Sequence, residues 1–475
     1  MHRALRENLL WAVAAAGGAA TVAWLTLGSY AWNDYEQEAQ GAVHALVAGH
    51  LHEFLQLSPA YGGSLVERAP FALLPGLWGG GELAVYRMLA LPALLAVAAL
   101  ATWLTARMRS RGLPAAMRAV ALTVCVLNPI ALLALEFGHP EELLGACMCI
   151  AAVLLAAASE VSRRRAAAAG LLLGLAVANK DWAALAAGPV LLALPAPRRA
   201  LGAATAAGAA TIVLAPLLLT SSSGFVSGTA AVGGGPSPIF QPWQVWWFLG
   251  SHGALVRGTG GAAKPGYRQG PAWFEAHSHL LILLAGLAFT AALWLAWRRR
   301  DNSGRRLPER QALAALALLL LARCMLDSWD FVYYTLPFLL AALAAETAPR
   351  DAPRAPVAAM AATLAVWIDF EWLPTHASPD VQAAFFLAWS LPLAAWLAAT
   401  SFRAAGPRTL PLAHPSGDPD VRRPSGGTPL AERLRLGLPA QETTVRSFDR
   451  PVRTSPPPSR TTTRSSIRTP STSGR

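Results

Sequence analysis

The feature that most constrains this chain is the blocking of its apolar residues into long runs. Twelve are read, at about 9–30, 84–106, 115–135, 142–158, 166–179, 182–196, 200–220, 279–297, 311–327, 331–346, 355–372 and 381–400. Several reach the roughly 20 residues a helix needs to cross a hydrocarbon core. In lipid, backbone N–H and C=O groups must be bonded within their own segment, so the runs predict helices. Only 14% of residues are charged, with 54% hydrophobic, whereas soluble domains carry about 25% charged residues. The chain is read as an all-α polytopic integral membrane protein of about 12 transmembrane helices. Arg3 and Arg6 precede the first run, and no clear small-residue cleavage site follows it. That pattern predicts an uncleaved signal anchor.

Arginine placement sets the orientation. With the N-terminus inside and the spans alternating, 19 basic residues fall in inside segments and six outside, with Arg323 within a span. Both termini are then cytoplasmic, in a plasma membrane. Two outer loops are long, 31–83 and 221–278. Val43 to Leu57 is amphipathic and suited to the membrane surface. The stretch from Gln241 to Phe248 is Trp-rich and suited to the outer interface. Residues 403–475 carry 13 Arg and 5 acids, are rich in Pro, Ser, Thr and Gly, and lack the apolar content to order themselves. This predicts a membrane domain over 1–402 and a disordered basic cytoplasmic tail over 403–475, solvated beside an anionic leaflet and with no nucleic-acid partner. Cys125, Cys147, Cys149 and Cys324 all lie in apolar runs and read as small apolar fillers.

The polar residues are biased outward. In this topology 16 of the 27 acids and eight of the ten histidines lie outside. Positive-inside sorting accounts for part of the acid bias but not for the histidines. Many of these residues sit at span ends, where charge is costly unless it faces a cavity or a partner. Asp34, just after the first span, is either a general base for an acceptor hydroxyl or an ordinary interfacial carboxylate. His139, Glu141 and Glu142 cluster between the third and fourth spans. Helix capping accounts for the two glutamates but not for His139 or Glu136. Lys180 is one of two lysines against 37 arginines. It sits in a short hairpin and is matched either by Asp181 or by a lipid-linked phosphate. Arg323 lies four residues before Asp327, so the two share a helix face. The pair is structural, or Arg323 presents its planar fork to a phosphate.

Two stretches resemble glycosyltransferase family 87, the polyprenyl-phosphate-sugar-dependent enzymes of the C-type membrane superfamily. The first runs Glu136-Phe-Gly-His-Pro-Glu-Glu-Leu-Leu and, after a basic turn, continues as Ala169-Gly-Leu-Leu-Leu-Gly-Leu-Ala-Val-Ala-Asn-Lys-Asp-Trp. The second is the segment from Arg323 to Pro337 with its Asp, Tyr-Tyr and Pro. The similarity spans roughly 20–345, with Arg- and Ala-rich usage like that of actinobacterial members.

The resemblance implies about a dozen helices and catalysis on the extracytoplasmic face. It implies transfer of a hexose, usually mannose, from polyprenyl phosphate to a lipid or glycan acceptor. It also implies a carboxylate base in the first outer loop, which maps onto Asp34. Here Asn33-Asp34-Tyr35-Glu36 stands where family members carry Asp before an aliphatic-Tyr pair, so Glu36 or Glu38 is an alternative base. Attack by a hydroxyl on an anomeric carbon needs a base for its proton and cations for the departing phosphate. Lys180, Arg323 and His139 would hold that phosphate. Glu141, Glu142, Asp181, Asp327, Asp330 and Tyr334 would support them. One displacement would invert configuration. No cofactor is required, since the lipid-linked sugar is a co-substrate; a divalent ion held by the outer acids is compatible but has no ligand spacing behind it. The alternative function is a transporter or flippase of a lipid-linked sugar. Its usual midplane polar residues and repeated halves are not evident.

Overall fold

The computed structural model describes residues 2–27, 34–220, 240–252, 256–257, 263–300, 306–348 and 355–403. The expected tail lies outside the described residues from 404 onward. So do the last residues of the first expected span, the Ser/Gly/Pro opening of the second long loop, and Arg305, Arg350 and Arg354.

Every expected span falls on a helix. The chain opens with α1 (His2–Thr26) and then three short helices, α2 (Gln40–Val47), α3 (Leu51–Leu57) and α4 (Gly62–Ala72). Next come α5 (Glu82–Ser110), α6 (Ala115–Val126), α7 (Pro129–Phe137), α8 (Pro140–Ala156) and α9 (Arg163–Asn179). A 3₁₀ stretch, Asp181–Ala186, leads into α10 (Ala187–Ala193), followed by α11 (Ala196–Leu219) and α12 (Ser278–Arg300). The last four are α13 (Glu309–Leu326), α14 (Leu336–Thr347), α15 (Val357–Trp367) and α16 (Pro379–Phe402). The described residues hold no strand, only isolated bridges such as Ser251 with Gln269.

Seven of the twelve segments are long and apolar enough to cross a membrane. These are α1, α5, the α6–α7 pair, α11, α12, α15 with its continuation to His376, and α16. The other five are shorter: α8, α9, Asp181–Ala193, α13 and Val332–Thr347. The 17 residues of α8 rise about 25 Å, against a hydrocarbon core of roughly 30 Å. Five of the short segments' termini meet at one end of the bundle. α8 starts at Pro140, α9 stops at Asn179, the next segment starts at Asp181, α13 stops at Leu326, and the segment leading into α14 starts at Val332. These termini carry the polar residues of the candidate site, so those side chains converge at this end of the bundle. α8, α13 and α14 are almost wholly buried and form the centre of the bundle.

Close packing holds α9 in place. A Cβ at Gly170 would fall 2.0 Å from Thr205 Oγ1, and one at Gly174 2.2 Å from the Ala206 carbonyl oxygen. The small-xxx-small pair lets the backbones of α9 and α11 touch, as in membrane helix pairs generally. The glycines that carry the family resemblance therefore set the position of Lys180 at the end of α9.

The two loop stretches pack partly into the protein. Val43 to Leu57 is two helices broken at Gly49, whose φ is +84°. One face, including Val43, Leu46 and Phe54, is buried in the protein, while Val47, Leu51 and Leu57 stay exposed. The Trp-rich stretch also turns inward. Trp247 is fully buried and its Nε1 donates to Asp380 at 2.7 Å, while Trp243 Nε1 donates to the Asp330 carbonyl at 2.7 Å.

Candidate active site

Glu141 is the junction of the site. Gly138, at φ +104°, ends α7 and turns the chain into His139, and Pro140 opens α8. A Cβ at Gly138 would also meet Tyr35 at 2.7 Å, so only glycine suits this corner. Glu141 is fully buried in the first turn of α8. Its carboxylate accepts from His139 Nδ1 at 2.6 Å, Arg68 Nη2 at 3.3 Å and Lys180 Nζ at 3.3 Å. Arg68, in α4, also donates to the Ser64 and Leu89 carbonyls. Asn179 ties the turn together: its Nδ2 donates to the Glu141 carbonyl and its Oδ1 accepts from Ser64, both at 2.8 Å. Helix capping alone therefore understates the glutamates, whose charges are matched by buried cations.

From Glu141 the network runs to Asp34. His139 Nε2 lies 3.1 Å from Asp34 Oδ2, and the Tyr333 hydroxyl donates to the same oxygen at 3.2 Å. Tyr333 also stacks on the His139 ring, with centroids 4.3 Å apart. Burial alone would lower the His139 pKa. The Glu141 carboxylate more than offsets this, and with the Asp34 hydrogen bond it raises His139 to about 9. At neutral pH the ring is an imidazolium that donates to both carboxylates. Asp34 remains partly open, with a side chain 26% exposed. Both of its described hydrogen bonds land on Oδ2. Of the carboxylates in this segment, Asp34 is hydrogen-bonded to His139 and Tyr333, while Glu38 faces Tyr61 and Tyr333.

In the other direction the network runs through cations. Lys180 Nζ lies 3.1 Å from Glu142 Oε1, and Arg323 Nη2 lies 3.6 Å from the same oxygen. These are charge contacts, since neither Glu142 oxygen receives an aligned hydrogen bond. Burial works against the Lys180 ammonium, but Glu142 and Glu141 outweigh it and keep the amine charged. Lys180 sits over the rings of Tyr61 and Tyr334, and Arg323 over Tyr334 and Trp182. Asp34, Glu141 and Glu142 thus face Arg68, His139, Lys180 and Arg323, with Asp327 also acting on Arg323 and Glu38 on Tyr61, so acids and cations alternate through the cluster.

Two expected pairings are replaced. Lys180 pairs with Glu141 and Glu142 rather than Asp181, whose exposed carboxylate bonds the Trp182 N–H at 2.7 Å. The backbone at Lys180 is extended, φ −159° and ψ 135°, which turns neighbouring side chains apart. Arg323 pairs with Glu142 rather than Asp327. Asp327 is the C-cap of α13 and adds to the field on Arg323, but its carboxylate accepts from the Trp329 N–H at 3.1 Å and faces His279 at 3.5 Å. Asp330 is fully buried with both carboxylate oxygens unbonded, and burial pushes its carboxyl well above the usual range. Arg68, Tyr333, Tyr61, Ser64 and Asn179 join the site without having been given a role from the sequence, although Tyr333 and Asn179 stand in the stretches that carry the family resemblance. Among the described residues, no group of three or more His, Cys, Asp or Glu is arranged to hold a metal ion.

Fold and site together define a multi-pass α-helical membrane protein with a buried acid–imidazole–cation centre at one end of the bundle. The family model for glycosyltransferase family 87 matches residues 63–326. The chain belongs to that family and is a membrane glycosyltransferase. The match is narrower than the 20–345 read by resemblance. It includes Arg68, His139, Glu141, Glu142, Lys180 and Arg323, and leaves out Asp34, Tyr333 and Tyr334. No curated protein matches in sequence. Among solved structures, ArnT from Cupriavidus metallidurans in the apo state is similar, with a TM-score of 0.41 and 13% identity over 82% of this chain and 77% of that one.

Proposed function

We propose that the protein moves a hexose, mannose in the first instance, from a polyprenyl-phosphate donor to a hydroxyl of a lipid or glycan acceptor, in the C-type manner, on the extracytoplasmic face of the plasma membrane. The observation that carries this reading is the continuous path from Asp34 through His139, Glu141, Lys180 and Glu142 to Arg323. It sets a partly open carboxylate at one end and a cation pair at the other.

In this mechanism the acceptor hydroxyl gives its proton to Asp34 as its oxygen bonds to the anomeric carbon. The bond from that carbon to the phosphate oxygen breaks, and its electron pair leaves with the polyprenyl phosphate. His139 and Tyr333 hold Oδ2 and so aim Oδ1 at the acceptor; they are positioning residues. Lys180 and Arg323 stabilise the charge that grows on the departing phosphate, where fixed cations act most strongly on a transition state. Donor phosphate would compete with Glu142 for the two cations. One displacement inverts the anomeric centre.

The test uses the full chain in liposomes with radiolabelled polyprenyl-phosphate mannose and a lipid-extract acceptor. Transfer yields labelled acceptor and an equal amount of free polyprenyl phosphate. Label that crosses the bilayer on unconsumed donor would instead make the protein a flippase.

A further inference from the structure

At the other end of the bundle lies a cavity of about 230 Å³ between the start of α11, the end of α12 and the approach to α13. The 18 residues of α13 separate it from the candidate active site, a rise of about 27 Å. Its floor is apolar, Leu192 and Leu307, fastened together by the Leu307 N–H donating to the Leu192 carbonyl at 2.8 Å. Its walls are two arginines and two tryptophans: Arg199, Arg298, Trp294 and Trp297. Among the described residues, none that lines it is acidic.

The wall side chains are anchored. Arg199 Nε donates to the Leu194 carbonyl at 3.2 Å, which fixes the guanidinium plane. The Arg298 guanidinium lies over the Trp294 ring at 5.1 Å, and Trp297 Nε1 donates to the Ser401 carbonyl at 3.3 Å. Two guanidiniums beside a cavity call for an anion with several acceptor oxygens. An apolar floor with indoles at the helix ends calls for a molecule that is also part hydrocarbon and sits at headgroup level. A free inorganic anion uses only the first half of this lining. A phospholipid uses both.

We propose that this cavity binds the phosphate of an anionic phospholipid, with its glycerol and upper acyl carbons over Leu192 and Leu307. The site is separate from the sugar-transfer centre and does not depend on the reaction assigned there.

The test is native mass spectrometry of the delipidated full-length protein, titrated with dioleoyl phosphatidylglycerol or dioleoyl phosphatidylcholine. A basic residue near an anionic headgroup is worth about fivefold in affinity. Arg199→Gln/Arg298→Gln is therefore expected to weaken phosphatidylglycerol binding roughly 30-fold and leave phosphatidylcholine binding within about twofold. Arg298→Gln alone, at an exposed position, is expected to lose about fivefold even if the double variant folds poorly. Arg198→Gln/Arg299→Gln removes the same charge beside the cavity and is expected to lose less than about threefold. An equal loss in that control pair would reduce the effect to general surface charge and overturn the proposal. So would equal wild-type affinity for the two lipids, or displacement of phosphatidylglycerol by millimolar inorganic phosphate.

Discussion

Removing the charge of Glu141 tests whether the buried network is held together as described. Glu141→Gln keeps the shape of the side chain but leaves His139, Arg68 and Lys180 facing a neutral amide where a carboxylate stood at 2.6, 3.3 and 3.3 Å. Breaking a buried ion network by removing one partner costs about 3–5 kcal/mol. The His139 linkage gives a comparable figure. Its pKa is raised from 6.5 to about 9, which corresponds to about 3 kcal/mol. The folded value lies above the unfolded one, so this stabilisation is fully present below pH 6.5 and is lost as pH rises through about 9. In Glu141→Gln the largest offset to burial is gone and only the Asp34 hydrogen bond remains, so the ring loses its proton at lower pH and that fall shrinks. The assay is unfolding followed by tryptophan fluorescence at pH 6.5, 8 and 9.5. Wild type should lose about 3 kcal/mol between the first and last pH, while the variant starts about 3–5 kcal/mol lower and falls less. A variant as stable as wild type at pH 6.5, or one with the same decline above pH 8, would refute the reasoning.

Three further outcomes follow from the geometry. Gly174→Ala places a Cβ 2.2 Å from the Ala206 carbonyl oxygen and should destabilise the fold by about 1–3 kcal/mol, read as a lower melting temperature in detergent. Tyr333→Phe removes the hydroxyl on Asp34; it should slow transfer about tenfold with the donor KM unchanged, since the loss is one hydrogen bond to a charged group. Arg323→Met should raise the donor KM about 10- to 100-fold, and Arg323→Lys should recover only part of it. Lysine keeps the charge but loses the planar fork that lies 4.2 Å over the Tyr334 ring. Steady-state kinetics separates these cases.

The helices were legible because lipid forces long apolar runs into them. The glycines of α9 were legible as a pattern, and their close approach to α11 supplies the reason for it. Asp34, His139, Lys180 and Arg323 stood out as charges placed where charge is costly. Their partners did not stand out, because each partner is set by backbone direction. Lys180 stands next to Asp181 in sequence, but its extended backbone sends it to glutamates on α8. Arg323 and Asp327 do lie one helical turn apart, with Asp327 as the C-cap, but the closer carboxylate at Arg323 comes from Glu142 on α8. Tyr333 and Tyr334 are adjacent, yet one serves Asp34 and the other lies beneath Arg323. Arg68 looked like one more loop arginine, because nothing in α4 marks it as the counter-ion of a residue 73 positions later.

The central claim is that Asp34 takes the acceptor proton. Single-turnover transfer by Asp34→Asn, beside Glu36→Gln and with donor binding measured separately, tests it most directly. A positioned general base contributes about 10²–10⁴ in rate. Asp34→Asn should therefore lose transfer by about that factor while binding donor normally, and Glu36→Gln should turn over within about threefold of wild type. Near-normal turnover by Asp34→Asn with every active donor would contradict the account.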